Sequence, residues 1–219
     1  MDGASRHNEG KIHLGYTFAA EGSLATASRL ARSAVAFFPL MRGWLGPGFD
    51  QLPVSEVFTY GVHEASQWSP ADLRERYDAI SAEVLIAMKE SGGDYFGETD
   101  APAVAFVASQ RLNGATTPSI THAFKTAERA LDPLRFADLV AATTSSLPLI
   151  RVSLSARVTR VSGAAGQYRI ELPDDARGDY RAVVNASWNG RLTLDSQMGL
   201  VPRTAWNFRE NISCGLTAA

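Results

Sequence analysis

Side chains suited to acid–base and anion-binding chemistry are concentrated in residues 4–20, just ahead of a long apolar segment. Histidine, carboxylate, lysine and amide groups there surround two glycines, Gly10 and Gly15. Glycine lets backbone N–H groups approach a ligand without a Cβ in the way, and a loop that leads into a helix readily holds an anion. We therefore predict a ligand-facing turn. The alternative is a frayed terminus, because the first residues of a domain are usually poorly ordered.

The same stretch does not match a nucleotide-binding P-loop. That motif needs four residues between its first glycine and its Gly-Lys step, whereas six residues separate Gly3 from Gly10 and Lys11. Ile12 also stands where the motif requires a serine or threonine. A P-loop is therefore excluded.

Three side chains of this stretch could instead ligate a metal ion, because imidazole and carboxylate groups suit zinc or iron. They are His7, Glu9 and His13, and their spacing matches no standard metal motif. The other two histidines, His63 and His122, are isolated in the sequence. We predict no metal site, and a metal-dependent hydrolase that uses these three residues stays an alternative.

Length, composition and charge exclude several classes of protein. The 219 residues are enough for one substantial core or two small ones. The chain is 45% hydrophobic and 20% charged, which is typical of an ordinary soluble globular protein. Its net charge is −2 without a block of like charges, so neither a nucleic-acid partner nor an anionic membrane surface is favoured.

Cysteine content and hydropathy indicate the compartment. Cys214 is the only cysteine, which excludes an internal disulfide and a cysteine-based zinc site. The chain starts without the apolar stretch of a secretory signal, and no run approaches the ~18 apolar residues of a membrane span. We therefore predict a cytoplasmic protein with no membrane span.

Hydrophobic periodicity predicts both helices and strands. The predicted helices cover residues 23–45 with Ser23 as the N-cap, a segment from Ser69-Pro70 to Gly92-Gly93, and a segment that begins at Asp132-Pro133. The side chains expected to be buried are Leu73, Tyr77, Ile80, Val84, Leu85 and Met88 in the second helix, and Leu134, Phe136, Leu139 and Val140 in the third. The predicted strands cover residues 54–63, 103–108, 147–154 and 180–186, and a β-hairpin turns at residues 163–166.

A second group of polar residues follows the apolar strand at residues 180–186. The chain continues there as S-W-N-G-R over residues 187–191. In open α/β sheets, ligands bind beyond the carboxyl ends of the strands. This turn is therefore a second candidate site, and the alternative is a turn that only ends the strand.

Three motifs occur in one order along the chain: N-E-G-K-I-H-L-G-Y at residues 8–16, E-R-A-L-D-P at residues 128–133, and V-V-N-A-S-W-N-G-R at residues 183–191. Together they resemble FAD-dependent oxidoreductases of the D-amino-acid-oxidase superfamily, such as the L-2-hydroxyglutarate and glycerol-3-phosphate dehydrogenases. The resemblance implies an α/β (mixed α+β) fold. It assigns residues 1–52 and 120–219 to a partial FAD/NAD(P)-binding domain, and residues 53–119 to an inserted antiparallel-sheet domain that covers the substrate.

The chain also departs from that superfamily. Its members open with a strand, a Gly-x-Gly-x-x-Gly turn and a helix, which hold the ADP half of FAD. No such fingerprint precedes Ala4, and the superfamily's C-terminal glycine-rich flavin segment is missing as well. The comparison therefore predicts a fragment whose partner would be a missing N-terminal nucleotide-binding segment.

The resemblance implies roles for individual residues. His13 would face the isoalloxazine ring, where it could orient the substrate, act as a base or bond covalently to the flavin. The residues implied to approach the pyrophosphate and the flavin ring are Ser5, Asn8, Glu9, Gly10 and Lys11. The residue implied to meet adenine through its backbone is Val158, and those implied to line the phosphate and ribityl side are Asn185, Ala186, Gly190 and Arg191.

The function implied by the resemblance is oxidation of a CH–OH or CH–NH bond of a small polar substrate, by hydride transfer to FAD. The candidates for binding a substrate carboxylate are Tyr60, His63, Arg111 and His122. The alternative, favoured by the absent glycine fingerprint, is a non-catalytic remnant or interaction module that keeps the fold without a cofactor.

Overall fold

The computed structural model describes residues 6–100, 102–108, 119–173, 177–187 and 190–201. Both helices and antiparallel sheets occur in these ranges, so the predicted mixture of α and β structure is confirmed. The helices are α1 (Ala25–Leu45), α2 (Pro70–Ser91), α3 (Pro133–Ser146) and α4 (Arg191–Gln197), with 3-10 helices at Tyr16–Phe18 and Gly46–Gln51. The strands are β1 (Lys11–Ile12), β2 (Thr59–His63), β3 (Ala105–Ala108), β4 (Ile120–Lys125), β5 (Arg129–Ala130), β6 (Arg160–Ala164), β7 (Gln167–Glu171) and β8 (Arg177–Tyr180). Within these ranges no helix is both long enough and apolar enough to cross a membrane.

The chain divides into two compact units, Met1–Arg151 and Val152–Ala219. The first unit contains α1 to α3 and β1 to β5, and the second contains β6 to β8 and α4. The domain boundaries at residues 52 and 119 came from the family resemblance and stay a prediction.

Helix α2 has the start, the buried stripe and the end that its sequence predicts. Ser69 is the N-cap, and its Oγ accepts a hydrogen bond from the N–H of Asp72 at 3.1 Å. Gly92 follows the last turn in the left-handed conformation, with φ of +62°, which glycine adopts without strain. The side chains that α2 buries in the core include Leu73, Tyr77, Ile80, Val84 and Met88, whereas Leu85, which the sequence also predicts to be buried, is half-buried.

Helix α1 forms the other side of the hydrophobic core of the first unit. It begins at Ala25 rather than at the predicted residue 23, and Leu24 takes the N-cap position. The Oγ of Ser23 still accepts a long hydrogen bond from the N–H of Ala25, at 3.4 Å. The Oγ of Ser28 donates to the carboxylate of Glu83 on α2 at 2.6 Å, and the two helices pack against each other.

A three-stranded antiparallel sheet in the order β2-β4-β3 contributes Val62 and Phe124 to the same core. Strand β2 begins at Thr59, later than the predicted residue 54. Val54 forms only an isolated bridge with Leu131, so the upstream half of the predicted strand lacks the continuous pairing that a strand needs.

A two-stranded ribbon, β1-β5, joins the opening loop to the segment that precedes α3. Ile12 lies opposite Arg129 in this ribbon. The hydroxyl of Tyr95 reinforces the pair, since it donates to the carbonyl of Ile12 at 2.7 Å and accepts from the N–H of Arg129 at 3.0 Å. The ribbon therefore brings His13 beside Glu128, 115 positions away in sequence.

Helix α3 begins where its Asp-Pro step predicts. The Oδ1 of Asp132 accepts hydrogen bonds from the N–H groups of Leu134 at 2.9 Å and Arg135 at 3.1 Å. The prediction that Leu134 faces inward is wrong, because this side chain is 44% exposed. The helix turns a face with Phe136 and the buried Ala137 toward the core, and the helical period leaves Leu134 on the outer side.

The second unit contains the predicted β-hairpin. Strands β6, β7 and β8 form an antiparallel sheet in that order, and Ala164 pairs with Gln167 at the end of the hairpin. The two residues between them, Ala165 and Gly166, both have positive φ, at +49° and +83°. That geometry matches the twist of the flanking strands and is typical of a two-residue hairpin turn.

Two strand predictions are wrong. Residues 147–154 form no strand, and Leu149 is 98% exposed. Residues 181–186 are also irregular, because β8 ends at Tyr180, and Val184 is 89% exposed rather than buried. An apolar run forms a strand only where another strand pairs with its backbone groups, and the described ranges supply no such neighbour for either segment.

Candidate functional site

The centre of the first unit's polar site is the buried carboxylate of Glu128, whose exposed fraction is only 1%. Its Oε1 accepts hydrogen bonds from three successive backbone N–H groups, those of Leu14 at 2.7 Å, Gly15 at 3.1 Å and Tyr16 at 3.3 Å. A 3-10 helix begins at Tyr16, so the carboxylate lies where unpaired N–H groups favour an anion.

The second oxygen of the same carboxylate contacts two side chains. The hydroxyl of Tyr60 donates to Oε2, and the Nδ1 of His13 lies 3.4 Å from it. Burial by itself raises the pKa of Glu128, but the hydrogen bonds from His13, Tyr60 and the N–H of Leu14 outweigh it and lower that pKa overall. The carboxylate is therefore ionised near neutral pH.

The two glycines of the opening loop have structural reasons to be glycine. Gly15 has φ of +112°, and a Cβ there would lie 2.7 Å from the Cα of Ala27 in α1. Gly10 has φ of +64°, and a Cβ there would lie 2.0 Å from the carbonyl oxygen of Leu131. The sequence predicts that permissive backbone here serves a ligand, whereas the structure uses it for close packing and for binding an internal anion, Glu128.

His13 lies between two carboxylates. Its Nε2 is 3.6 Å from the Oε1 of Glu9, whose side chain is 59% exposed, while its Nδ1 faces Glu128. The pKa of His13 is raised, chiefly by the hydrogen bond to Glu128 and further by the charges of Glu128 and Glu9, against the opposing effect of burial. The Nζ of Lys11 lies 3.3 Å from Glu9 and 4.9 Å from the ring centre of Phe58.

Four tyrosines surround Glu128 and stay neutral. Burial raises the pKa of Tyr77 to about 12, and it also raises the pKa values of Tyr16, Tyr60 and Tyr95. Each hydroxyl is consequently a hydrogen-bond donor at any physiological pH. The Tyr16 hydroxyl, for example, lies 2.8 Å from the Oγ of Ser81.

Three residues implied to bind the cofactor line a cavity of about 370 Å³ in the first unit: Asn8, Gly10 and Lys11. Its other walls are mostly aromatic and aliphatic, including Phe37 and Phe136. The Oδ1 of Asn8 accepts a hydrogen bond from the N–H of Gly10 at 2.7 Å. This bond shapes the turn at residues 8–10.

Four further residues implied to bind the cofactor line one cavity of about 560 Å³ in the second unit: Val158, Asn185, Ala186 and Gly190. The side chain of Asn185 is engaged within the turn itself. Its Nδ2 donates to the carbonyl of Arg191 at 3.0 Å and to Asp195 at 2.8 Å, and its Oδ1 accepts from Ser187 at 2.6 Å. Arg191 in turn lies 3.3 Å from Asp195.

The candidates for binding a substrate carboxylate are distributed differently. Tyr60 belongs to the Glu128 cluster, and together with His63 it borders a cavity of about 350 Å³ in the first unit. The Nδ1 of His63 accepts from the N–H of Ala65 at 3.0 Å. The Nδ1 of His122 is buried without a hydrogen-bond partner among the described residues. Arg111, like the cofactor candidate Ser5, lies outside the described residues.

In the described part of the chain, no three His, Cys, Asp or Glu side chains are grouped so that they could hold a metal ion. The alternative of a metal-dependent hydrolase that uses His7, Glu9 and His13 therefore has no donor set in those ranges. No protein-family model matches the chain, and no curated protein matches it significantly.

The role of Glu128, the central residue of the site, is not evident from the sequence. Glu128 was part of a family-like motif, but no function was predicted for it. The only signal in the sequence is that Glu128 is the single carboxylate of residues 119–131. A buried charge is recognisable only once its partners are known, and those partners lie near the opposite end of the first unit.

Proposed function

We propose that this chain is part of an FAD-dependent oxidoreductase that oxidises a CH–OH or CH–NH bond of a small polar substrate. When bound, FAD would accept the hydride, while the protein would supply binding, orientation and proton transfer. The chain would work in the cytoplasm, with a small molecule rather than a nucleic acid as its partner.

The observation that carries the proposal is the cavity of the second unit. Val158 and Asn185 come from different segments of the second unit, and the resemblance alone implies a cofactor contact for each; both line the same space. The cavity volume of about 560 Å³ is within the range of ligand sites. Its walls combine apolar side chains such as Ile170 with a few polar groups such as Thr159, which is the composition of a cofactor pocket.

The first unit by itself also contains a cavity and polar side chains that fit part of this chemistry. The mostly apolar cavity beside Lys11 suits a flat, largely apolar ring, and Lys11 carries positive charge at its edge. His13 is the one titratable residue of this loop whose partner, Glu128, is buried while its own side chain is partly exposed, at 25%. Its chemistry fits a group that binds the polar end of a substrate or moves its proton.

Equilibrium titration of the 219-residue chain with FAD, followed by flavin fluorescence, tests the proposal. We expect saturable binding that ADP competes for, and we expect the substitution Ala186→Asp in the cavity wall to weaken binding by about tenfold or more. The matched control is Ala182→Asp, which changes an exposed alanine of the same segment outside the cavity. Absence of saturable binding, or equal loss in both variants, would overturn the proposal.

A non-catalytic remnant or interaction module is the second candidate, and one observation favours it. The polar groups that the sequence suggests for a ligand are largely engaged within the protein, since the N–H groups at residues 14–16 bind Glu128 and the side chain of Asn185 binds its own turn. The FAD titration separates the two candidates, because a module without a cofactor would not bind FAD saturably.

A further inference from the structure

We propose that Glu128 is a positioning residue that holds His13 with its Nδ1 proton directed at the buried carboxylate, so that Nε2 accepts the proton of the substrate's hydroxyl or amine. The proton-transfer role rests on the proposed oxidoreductase function. The orientation and tautomer of His13 rest only on the geometry of the first unit.

The hydrogen bonds of Glu128 define which atom of His13 carries the proton. Oε1 accepts from three backbone N–H groups and Oε2 accepts from the hydroxyl of Tyr60. An ionised carboxylate is an acceptor only. The Nδ1 of His13 lies 3.4 Å from Oε2 of the buried Glu128, whereas Nε2 lies 3.6 Å from the more exposed Glu9, so we assign the proton of the neutral ring to Nδ1. In the neutral ring the lone pair then belongs to Nε2.

The backbone keeps the two residues in this relation. Ile12 and Arg129, the neighbours of His13 and Glu128, are paired in the β1-β5 ribbon, and the hydroxyl of Tyr95 links them because it donates to the carbonyl of Ile12 and accepts from the N–H of Arg129. Three N–H groups fix the position of the Glu128 carboxylate. The imidazole of His13 therefore takes the orientation that this carboxylate requires. A rigid supporting shell of this kind is what a proton-transfer residue requires.

The charged and titratable groups around His13 allow Nε2 to take up a proton. Glu128 faces Nδ1 from the β5 side, Glu9 approaches Nε2 from the opening loop, and Tyr60 faces Glu128 from β2. Lys11 forms an ion pair with Glu9 and offsets part of its charge. The two carboxylates favour the imidazolium that forms, which agrees with the raised pKa of His13.

For an alcohol, the O–H bond of the substrate would break and its proton would bind to Nε2. The C–H bond of the carbon that carries this oxygen would break as well, with FAD, when bound, as the hydride acceptor, and the C–O bond would become a carbonyl. The substrate loses two electrons, both carried by the hydride. The charge that appears on His13 lies opposite the carboxylate of Glu128, which stays ionised throughout.

Nitrogen-15 NMR of the full chain tests the orientation without any cofactor. In the unsubstituted protein above the pKa of His13, we expect the chemical shifts of an Nδ1–H tautomer. In Glu128→Gln, the amide oxygen can still accept from the three N–H groups while the amide NH2 faces His13. We therefore expect the tautomer to reverse to Nε2–H and the pKa of His13 to fall.

Tyr60→Phe is the matched control, because it removes a different donor from the same oxygen of Glu128 and leaves the contact with His13 in place. We expect the Nδ1–H tautomer to persist in that variant. An Nε2–H tautomer in the unsubstituted protein would overturn the inference by itself, even if Glu128→Gln did not fold. An unchanged tautomer in a folded Glu128→Gln variant would overturn it too.

The two proposals fail separately. If the chain does not bind FAD but shows the expected tautomers, the oxidoreductase function and the proton step are wrong, and the positioning of His13 by Glu128 is confirmed. If FAD binds but the tautomer is Nε2–H, the function stands and the inference about Glu128 is wrong.

Discussion

The Oε1 atom of Glu128 lies 2.7 Å from the backbone nitrogen of Leu14, 114 positions earlier in the chain. The carboxylate thus supplies the anion for a glycine-containing turn whose sequence suggests an external ligand. The same carboxylate contacts His13, the one residue of the turn to which the family resemblance assigns a catalytic role. Folding of the first unit and the chemistry of its candidate site therefore depend on the same group.

Replacing Glu128 with alanine should strongly destabilise the first unit. The change leaves three N–H groups, those of Leu14, Gly15 and Tyr16, without their acceptor in a buried position. We expect the free energy of unfolding to fall by about 3–5 kcal/mol, measured by urea denaturation. Glu75→Ala, at an exposed position of α2, is the control and should change stability by less than about 0.5 kcal/mol. Equal effects of the two substitutions would contradict the assigned role of Glu128.

Replacing Gly15 with alanine should destabilise the protein through its backbone. The required φ of +112° is strained for any L-residue other than glycine, and the new Cβ would collide with Ala27. We expect a loss of about 1–3 kcal/mol or more in thermal or urea unfolding. Gly22→Ala is the matched control, since a Cβ at Gly22 meets no atom within 4 Å. A Gly15→Ala variant as stable as the control would show that the loop is not packed as described.

Stability should depend on pH through His13 and Glu128 in opposite directions. The pKa of His13 is raised in the folded protein. The stability that His13 contributes is therefore fully present below its unfolded pKa of 6.5 and is lost as pH rises through the folded pKa. The pKa of Glu128 is lowered in the folded protein. The stability that Glu128 contributes is therefore fully present above its unfolded pKa of 4.5 and is lost as pH falls through the folded pKa. Both contributions are therefore present between pH 4.5 and 6.5.

The variant His13→Gln isolates the upper half of this dependence. The difference in unfolding free energy between the unsubstituted protein and the variant should shrink as pH rises through the folded pKa of His13. Urea denaturation over a series of pH values measures that difference. A difference that stays constant over the whole range would show that His13 and Glu128 are not coupled in the folded state.

Asp132→Ala should weaken the start of α3. The substitution removes the acceptor for the N–H groups of Leu134 and Arg135. We expect a cost of about 1 kcal/mol, the usual value of an N-cap, while Asp132→Asn should restore most of the stability because asparagine also caps well. If both variants lost the same stability, the charge of Asp132 rather than its capping oxygen would be the cause.

Asn185→Ala should loosen the turn before α4 even without a cofactor. It removes the hydrogen bonds to the carbonyl of Arg191, to Asp195 and to Ser187. We expect faster hydrogen exchange in residues 191–200, where the turn and helix depend on that side chain. Ser187→Ala removes only one of these partners and should have a smaller effect. Unchanged exchange in Asn185→Ala would indicate that the side chain does not hold this turn.

The sequence predicted those features that depend on neighbouring residues. The serine and glycine that bound α2, the Asp-Pro start of α3 and the β-hairpin of the second unit were found where expected, although the hairpin turn has two residues rather than the predicted four. Each of these signals acts through hydrogen bonds or backbone preferences within a few positions of the chain, so the residues themselves carry the information.

Predictions that needed a distant partner were less successful. The apolar runs at residues 147–154 and 181–186 have strand composition, but neither pairs with another strand in the described ranges. The start of β2 moved from residue 54 to Thr59 because residues 53–58 hydrogen-bond to residues 126–132 only at separate points, such as the N–H of Ser55 to the carbonyl of Ala130, and not as a continuous ladder. Strand composition is a local property, whereas strand formation requires a second backbone at hydrogen-bonding distance.

By itself the sequence determined the mixture of helices and strands and the polar, glycine-containing loop that contains His13. Only the tertiary structure decided that the N–H groups of this loop bind Glu128, and that His13 turns its Nδ1 toward the same carboxylate. The physical reason is that a buried charge is stable only where the fold collects donors around it, and these donors come from segments more than 60 positions away in sequence from Glu128.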